Sequence, residues 1–322
     1  MDEELLGDLP MYSQLSVIGS PGEHHSWGVF SEEDELGTVN FLTPERVKHA
    51  ASLVRKGKVF NLCLSLNLPD PHVTAVRHPY QRKIFRFGRN VREDLLDNFY
   101  MQYSSHWDAL GHMRYQKFGF YGGLQDDEVE KGKLGIDRWV EHGMVGRGLL
   151  IDVGRYMEER GISFHADEGW DIKPQDLEAI AQQQGAQFEA GDILLLRTGW
   201  MKHYLDLDQA GREAFALSLQ SRLVSPGLEG TRAMAAFLWD HRIAAVAADN
   251  IGVEKMPGDL YYQFPLHNLV LCLLGMPLGE FWNLEALATD CAEDGVYECL
   301  VVSVPLNVPG GIGSPANAIA IK

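Results

Sequence analysis

Three short, almost wholly apolar runs constrain this chain more than any other feature: residues 148–153, 193–196 and 243–248. Each is too short for an ordinary helix and is flanked by turn or helix signals, as Gly191-Asp192 precedes the second, so each reads as a buried strand. Helical segments lie between and around them. Residues 43–55 carry Thr43 as cap, Pro44 at the first helical position and Gly57 beyond the end. Residues 174–184 follow Lys173-Pro174, residues 228–242 form another helix, 267–274 run up to the breaker Gly275-Met276-Pro277, and 284–292 form the last. Alternation over 59–68 and the pattern over 297–304 add strands, and 309–315 is a Gly/Pro loop. Strands and helices that alternate without internal repeats or linkers indicate a mixed α/β architecture. Residues 1–25 are expected as an N-terminal arm, a polar coil that extends to about residue 35, and 26–322 as one domain.

Charge narrows the partners. A formal net charge of −17 over 322 residues argues against nucleic acid and anionic membranes, which select basic surfaces. No run approaches the roughly 20 apolar residues that span a bilayer. The chain starts Met1-Asp2-Glu3-Glu4, acidic where a secretory signal is basic, so a cytoplasmic location is expected. Cys63, Cys272, Cys291 and Cys299 lack metal-site spacing and read as buried free thiols. One basic cluster, Arg77, Arg82, Lys83, Arg86, Arg89 and Arg92, either attracts an anionic substrate or pairs with acidic neighbours. Phosphate-binding glycine loops and the Gly-x-Ser-x-Gly elbow are missing from the sequence, which argues against nucleotide chemistry and the usual α/β serine hydrolases.

Chemistry concentrates instead in residues 101–112, Met-Gln-Tyr-Ser-Ser-His-Trp-Asp-Ala-Leu-Gly-His. Gln102, His106, Asp108 and His112 share one parity, so an extended segment directs them to one face. At roughly 3.3 Å per residue only His106 and Asp108 converge on a small ion; the other two need bends, at 103–105 and at Leu110-Gly111. The expectation is a short strand with a turn at each end. Imidazole and carboxylate groups suit a divalent ion that polarises a carbonyl and activates water. The same residues also fit a core hydrogen bond, a turn cap and a solvated histidine.

The stretch resembles the metal-binding signature of the cyclase-like metal-dependent hydrolase family, which includes bacterial kynurenine formamidase and isatin hydrolase. That signature is His-x-Gly-Thr-His-x-Asp-x-Pro-x-His. Here Gln102 stands for the first histidine, Ser104-Ser105 for Gly-Thr and Leu110 for proline, while His106, Asp108 and His112 match. Residues 34–40, 191–200, 313–317 and the segment from His267 through Glu280 also look like the larger members, so the likeness runs from 26 to 320.

The resemblance implies a fold of the swivelling β/β/α kind, a mixed sheet with flanking helices, and a homo-oligomer. It implies primary metal ligation by His106 and Asp108, with Gln102 in the remaining ligand position of the motif, His112 as acid/base, and His267 and Glu280 as the distant pair that completes a second metal site or positions the substrate. An amide oxygen is a weaker, harder ligand than imidazole, so Gln102 shifts the expected cofactor from Zn2+ toward Mn2+, or else contacts substrate. The expected activity is hydrolysis of a C–N or C–O bond in a small cyclic amide, lactone or aryl formamide. Alternatives are a cyclase or dehydratase of a polyketide-like substrate, and a noncatalytic binding protein with a degenerate site. Trp107, Phe118 and Tyr121 suit a planar cyclic or aromatic substrate, and they equally suit core packing.

Overall fold

The computed structural model describes residues 8–19, 22–162, 166, 168–258 and 264–322. The first seven residues of the expected arm therefore lie outside the described residues. Nine strands form the main sheet: β1 (Val59–Asn61), β2 (His106–Asp108), β3 (Met144–Asp152), β4 (Ile193–Arg197), β5 (Ala245–Ala248), β6 (Leu278–Glu280), β7 (Glu298–Ser303), β8 (Gly313–Pro315) and β9 (Ala318–Ile321). Their spatial order is β8-β2-β6-β5-β4-β3-β7-β9-β1.

The three apolar runs are the middle of this sheet. β3, β4 and β5 pair in parallel, and β6 continues the parallel set beside β5. Leu149, Leu150, Ile151, Leu194, Leu195, Leu196, Val246 and Ala247 are fully buried, as strands covered on both faces require. Helices Pro44–Ser52, Pro174–Gln184, Arg232–Asp240 and Glu285–Asp294 flank the sheet. This is a mixed α/β single domain with a large mixed sheet and flanking helices.

Local chemistry sets several boundaries. Thr43 accepts from Arg46 N at 3.3 Å, capping Pro44–Ser52 where the sequence places the cap. The helix expected over 228–242 starts only at Arg232, because Thr231 caps it by accepting from Met234 N, while Gly227–Leu228 pairs with Asp171–Ile172. The strand expected over 59–68 stops at Asn61, whose side chain accepts from Cys63 N and turns the chain away. Residues 8–25, read as arm, carry a two-stranded ribbon, Ser16–Ile18 with Glu23–His25, and bury Tyr12 and Leu15.

Two further strands stand apart from the sheet. Gln81–Phe87 and Val91–Asp97 form an antiparallel ribbon in which every residue is exposed. The basic cluster lies mostly here rather than at a cleft: Arg82 pairs with Asp94 and Lys83 with Asp97, across the ribbon itself.

Candidate metal centre

β2 sits between β6 and β8, antiparallel to both, and this register assembles the centre. Glu280 pairs with His106, and Leu278 with Asp108. Alternation sends His106 and Asp108 to one face and Trp107 to the other. There Trp107 is fully buried, packs edge-on against Trp282 with ring centroids 4.8 Å apart, and donates from Nε1 to Ser303 Oγ at 2.9 Å. β6 approaches this tightly only because its middle residue is Gly279, where a Cβ would lie 2.7 Å from Trp282 Nε1 and 3.0 Å from Trp107. Directly after Glu280, buried Phe281 takes a left-handed backbone angle, φ +57°, and turns the chain out of the strand.

The bends required on either side of β2 are present. His112 N donates to Ala109 O at 2.9 Å, closing a turn that returns His112 toward Asp108. On the other side, Tyr103 N donates to Tyr100 O, and Arg77 Nη1 donates to Gln102 O. Gln102 thereby reaches the cluster, packed so closely beneath Gly313 that a Cβ there would lie 2.8 Å from Gln102 Cγ.

One ligand atom from each of His106, Asp108 and Glu280 lies within 4.8 Å of the others, and all three residues are buried. His106 Nε2 stands 3.5 Å from Asp108 Oδ1 and 3.7 Å from Glu280 Oε2. His267 completes the ring, with Nε2 at 3.6 Å from Asp108 Oδ2 and 3.5 Å from Glu280 Oε1. His112, 26% exposed at its side chain, stands at the mouth with Nε2 3.8 Å from Asp108 Oδ1.

Both buried histidines are anchored from behind. His106 Nδ1 donates to Ser104 O at 2.7 Å, and its Nε2 is buried with no hydrogen-bond partner. His267 Nδ1 donates to Glu254 Oε1 at 2.6 Å. In the neutral ring each arrangement leaves a lone pair on Nε2, directed into the space bounded by Asp108 and Glu280. Glu254 also accepts from Leu266 N at 2.8 Å and His267 N at 3.0 Å, seating the start of the π-helix His267–Leu273. Sequence reading missed Glu254. It belongs to no local pattern and meets His267 only in three dimensions.

Electrostatics favour a cation here. Burial opposes ionisation of Asp108, yet His112, His106 and His267 outweigh it and hold the carboxyl well below its usual range. Glu280 is likewise lowered against the cost of burial, chiefly by His267, whose Nε2 lies 3.5 Å from Oε1. His267 is raised well above an ordinary imidazole despite burial, because the buried carboxylates of Asp108, Glu254 and Glu280 surround the ring and favour a positive charge at this point. A cavity with this much buried carboxylate demands a positive charge, and inward lone pairs on two imidazoles let a divalent ion supply it. The residues present fit a metal.

The remaining expected residues fall elsewhere. Gln102 enters through its amide nitrogen, which donates to Asp108 Oδ1 and lies 3.2 Å from His112 Nδ1. Tyr121 is buried and donates to Asp34 Oδ2 at 2.9 Å, while Phe118 stacks on Tyr115. Neither makes a hydrogen bond or ring contact with the His/Asp/Glu cluster among the described residues, and Trp107 faces away from it.

Comparison with known proteins shows the family and the fold. The family model for Cyclase matches residues 64–255. A crystal structure described as a novel cyclase aligns at 34% identity over 92% of this chain and 99% of that one, with a TM-score of 0.80. The chain belongs to the cyclase family. The matched span holds Gln102 through His112 and Glu254, and β6 brings in Glu280 from beyond it. Isatin hydrolase A from Ralstonia solanacearum shares 17% identity over 82% of this chain and 92% of its own, with a TM-score of 0.57. The enzyme of that name from Labrenzia aggregata, bound to benzyl benzoate, aligns at 17% identity over 84% of this chain and 94% of its own, with a TM-score of 0.55. Both share the fold of this cyclase-family chain. None of the curated proteins compared matches its sequence. No described helix is long and apolar enough to cross a membrane.

Proposed function

We propose that this cyclase-family protein is a metal-dependent hydrolase that cleaves the C–N or C–O bond of a small cyclic amide, lactone or aryl formamide. One observation carries the reading: His106 and His267, each fixed through Nδ1, aim Nε2 between the buried carboxylates of Asp108 and Glu280. His106, Asp108, His267 and Glu280 would hold a divalent ion, Mn2+ or Zn2+. When bound, such an ion polarises a carbonyl and lowers the pKa of water.

The protein supplies the rest. Burial pushes the His112 imidazole below its ordinary value despite the pull of Asp108, keeping it neutral at physiological pH. A neutral imidazole at the mouth of the cluster accepts a proton from the attacking water and passes it to the departing nitrogen or oxygen. Gln102 donates to Asp108 Oδ1 and places its amide nitrogen 3.2 Å from His112 Nδ1, which ties the acid/base to a ligand. We therefore assign Gln102 to orientation of these two side chains in preference to the ligand position. Seclusion of Asp108 and Glu280 from bulk water strengthens every charge interaction at the reacting carbonyl.

The test is turnover on panels of cyclic amides, lactones and aryl formamides, with metal stripped and then restored. Hydrolysis that disappears with the metal and returns with it is expected. Metal-independent hydrolysis contradicts the assignment, and metal-dependent ring closure without hydrolysis favours the cyclase alternative.

A further inference from the structure

Of the basic cluster between positions 77 and 92, the fold sets one residue apart. Arg82, Lys83, Arg86, Arg89 and Arg92 are exposed on the ribbon Gln81–Phe87/Val91–Asp97, where Arg82 and Lys83 pair with Asp94 and Asp97. Arg77 precedes the ribbon, is half-buried, and donates from Nη1 to Gln102 O. That contact joins it to the metal centre through a single residue, because the Gln102 amide donates to Asp108 Oδ1 and stands 3.2 Å from His112 Nδ1. Gln102 and His112 are partly exposed, whereas His106, Asp108, His267 and Glu280 are buried. The guanidinium therefore sits at the rim of the cluster, on the side of the acid/base.

Bracing the bend accounts for only part of this side chain. A carbonyl needs no more than a neutral donor, and His72 Nε2 already donates to the next carbonyl, Tyr103 O, at 3.1 Å. A guanidinium adds a fixed charge and a fork of donors. Arg77 Nε and Nη2 have no hydrogen-bond partner among the described residues, and no described carboxylate pairs with its charge. The buried arginines of the sheet differ: Arg147 is matched by Asp192, Glu189 and Glu298, and Arg197 by Asp152 and Glu285. Arg197 holds both oxygens of Glu285 with Nε and Nη2, the same edge that Arg77 leaves open. A charge half withdrawn from water without an ion partner is costly, and a ligand carboxylate on that edge would remove the cost. With a net charge of −17 the chain as a whole repels anions, so an anionic substrate needs such a fixed cation beside the site.

Resting on the hydrolase reading above, we infer that Arg77 is a specificity-determining residue that binds a carboxylate carried by the substrate. The preferred class is then a cyclic amide, lactone or aryl formamide that bears a carboxylate apart from the bond to be cleaved. The carboxylate takes Nε and Nη2 in a bidentate pair while Nη1 stays on Gln102 O. Gln102 thus links the anchor of the substrate to the acid/base.

The test uses matched probes, N-formylanthranilate beside N-formylanthranilamide and pyroglutamate beside pyroglutamide, on the metal-loaded full chain, Arg77→Gln and Arg77→Lys. The readout is kcat/KM where a probe turns over and calorimetric Kd where it only binds. The parent should favour the carboxylate member of a pair by about 10- to 100-fold, the range for hydrogen bonds to a charged group. Arg77→Gln should erase that ratio, and Arg77→Lys, which keeps the charge without the fork, should retain part of it. A residue that only braces the bend would lower both members together. An unchanged ratio in Arg77→Gln, or a parent that does not favour the carboxylate, therefore overturns the assignment. Should a variant misfold, modification of Arg77 in the parent by phenylglyoxal decides: the carboxylate probe should protect it more than the carboxamide, and equal protection overturns the assignment. Carboxylate preference without metal-dependent turnover would defeat the hydrolase reading and leave Arg77 standing, and metal-dependent turnover indifferent to the carboxylate would do the reverse.

Discussion

β3, β4 and β5 run through the middle of the sheet with buried leucine, isoleucine, valine and alanine on both faces, whereas β2, β6 and β8 at its far side are three residues long and carry polar side chains. The centre is held by burial and parallel pairing. The far side is held by register: Glu280 meets His106 and Gly313 meets Asp108 because two antiparallel partners clasp β2 from opposite edges. Stability and chemistry are thus assigned to different strands of one sheet, and each can be perturbed without the other.

The largest separation is expected at the mouth of the site. His112→Ala should keep its metal and lower turnover by about 10²- to 10⁴-fold, the usual contribution of a positioned acid/base. Loss of metal in that variant, by elemental analysis, would make His112 a ligand instead. At the centre, Leu195→Ala removes a fully buried side chain and should cost about 2–5 kcal/mol in denaturant unfolding while leaving metal content and the pH profile of turnover unchanged. A changed pH profile would show that the two regions are not separable.

His72 sharpens the boundary between them. Its Nδ1 accepts from Thr74 N at 3.0 Å and its Nε2 donates to Tyr103 O at 3.1 Å, bracing the bend before β2 in the neutral form. Burial, and then Arg77, push the ring down to about 4, whereas the unfolded ring titrates near 6.5. The unfolded state therefore binds more protons between those values. Stability should be full above about pH 6.5 and decline as pH falls toward 4, by up to about 3 kcal/mol. In His72→Asn that decline should flatten, as read from urea unfolding at pH 7.5 and pH 5. The smallest effect expected is at Glu254. Glu254→Gln should weaken metal affinity by about 10- to 100-fold, measured by chelator competition, with the fold intact.

Legibility in the sequence followed the same division. Apolar runs announce central strands because burial on both faces leaves a continuous signature, and the Thr43-Pro44 helix start was readable from capping chemistry alone. Parity and spacing found His106 and Asp108 on one face and required the bends that return Gln102 and His112. The same parity also sends Trp107 to the core side, where aromatic content alone had suggested a wall for substrate. Resemblance, rather than spacing, supplied His267 and Glu280, since nothing local marks two residues that join β2 only through sheet pairing. Glu254 escaped both routes because its role is to anchor His267 from behind. The exposed ribbon was legible only as a basic cluster, and of the two readings it allowed, pairing with acidic neighbours holds for Arg82 and Lys83.

Elemental analysis of the purified full chain beside Asp108→Ala tests the central claim most directly. Bound divalent metal near one ion or more per chain in the parent, and its loss in Asp108→Ala with the fold retained, is the predicted result. A parent that takes up no divalent metal even when supplied with Mn2+ or Zn2+ would contradict the account.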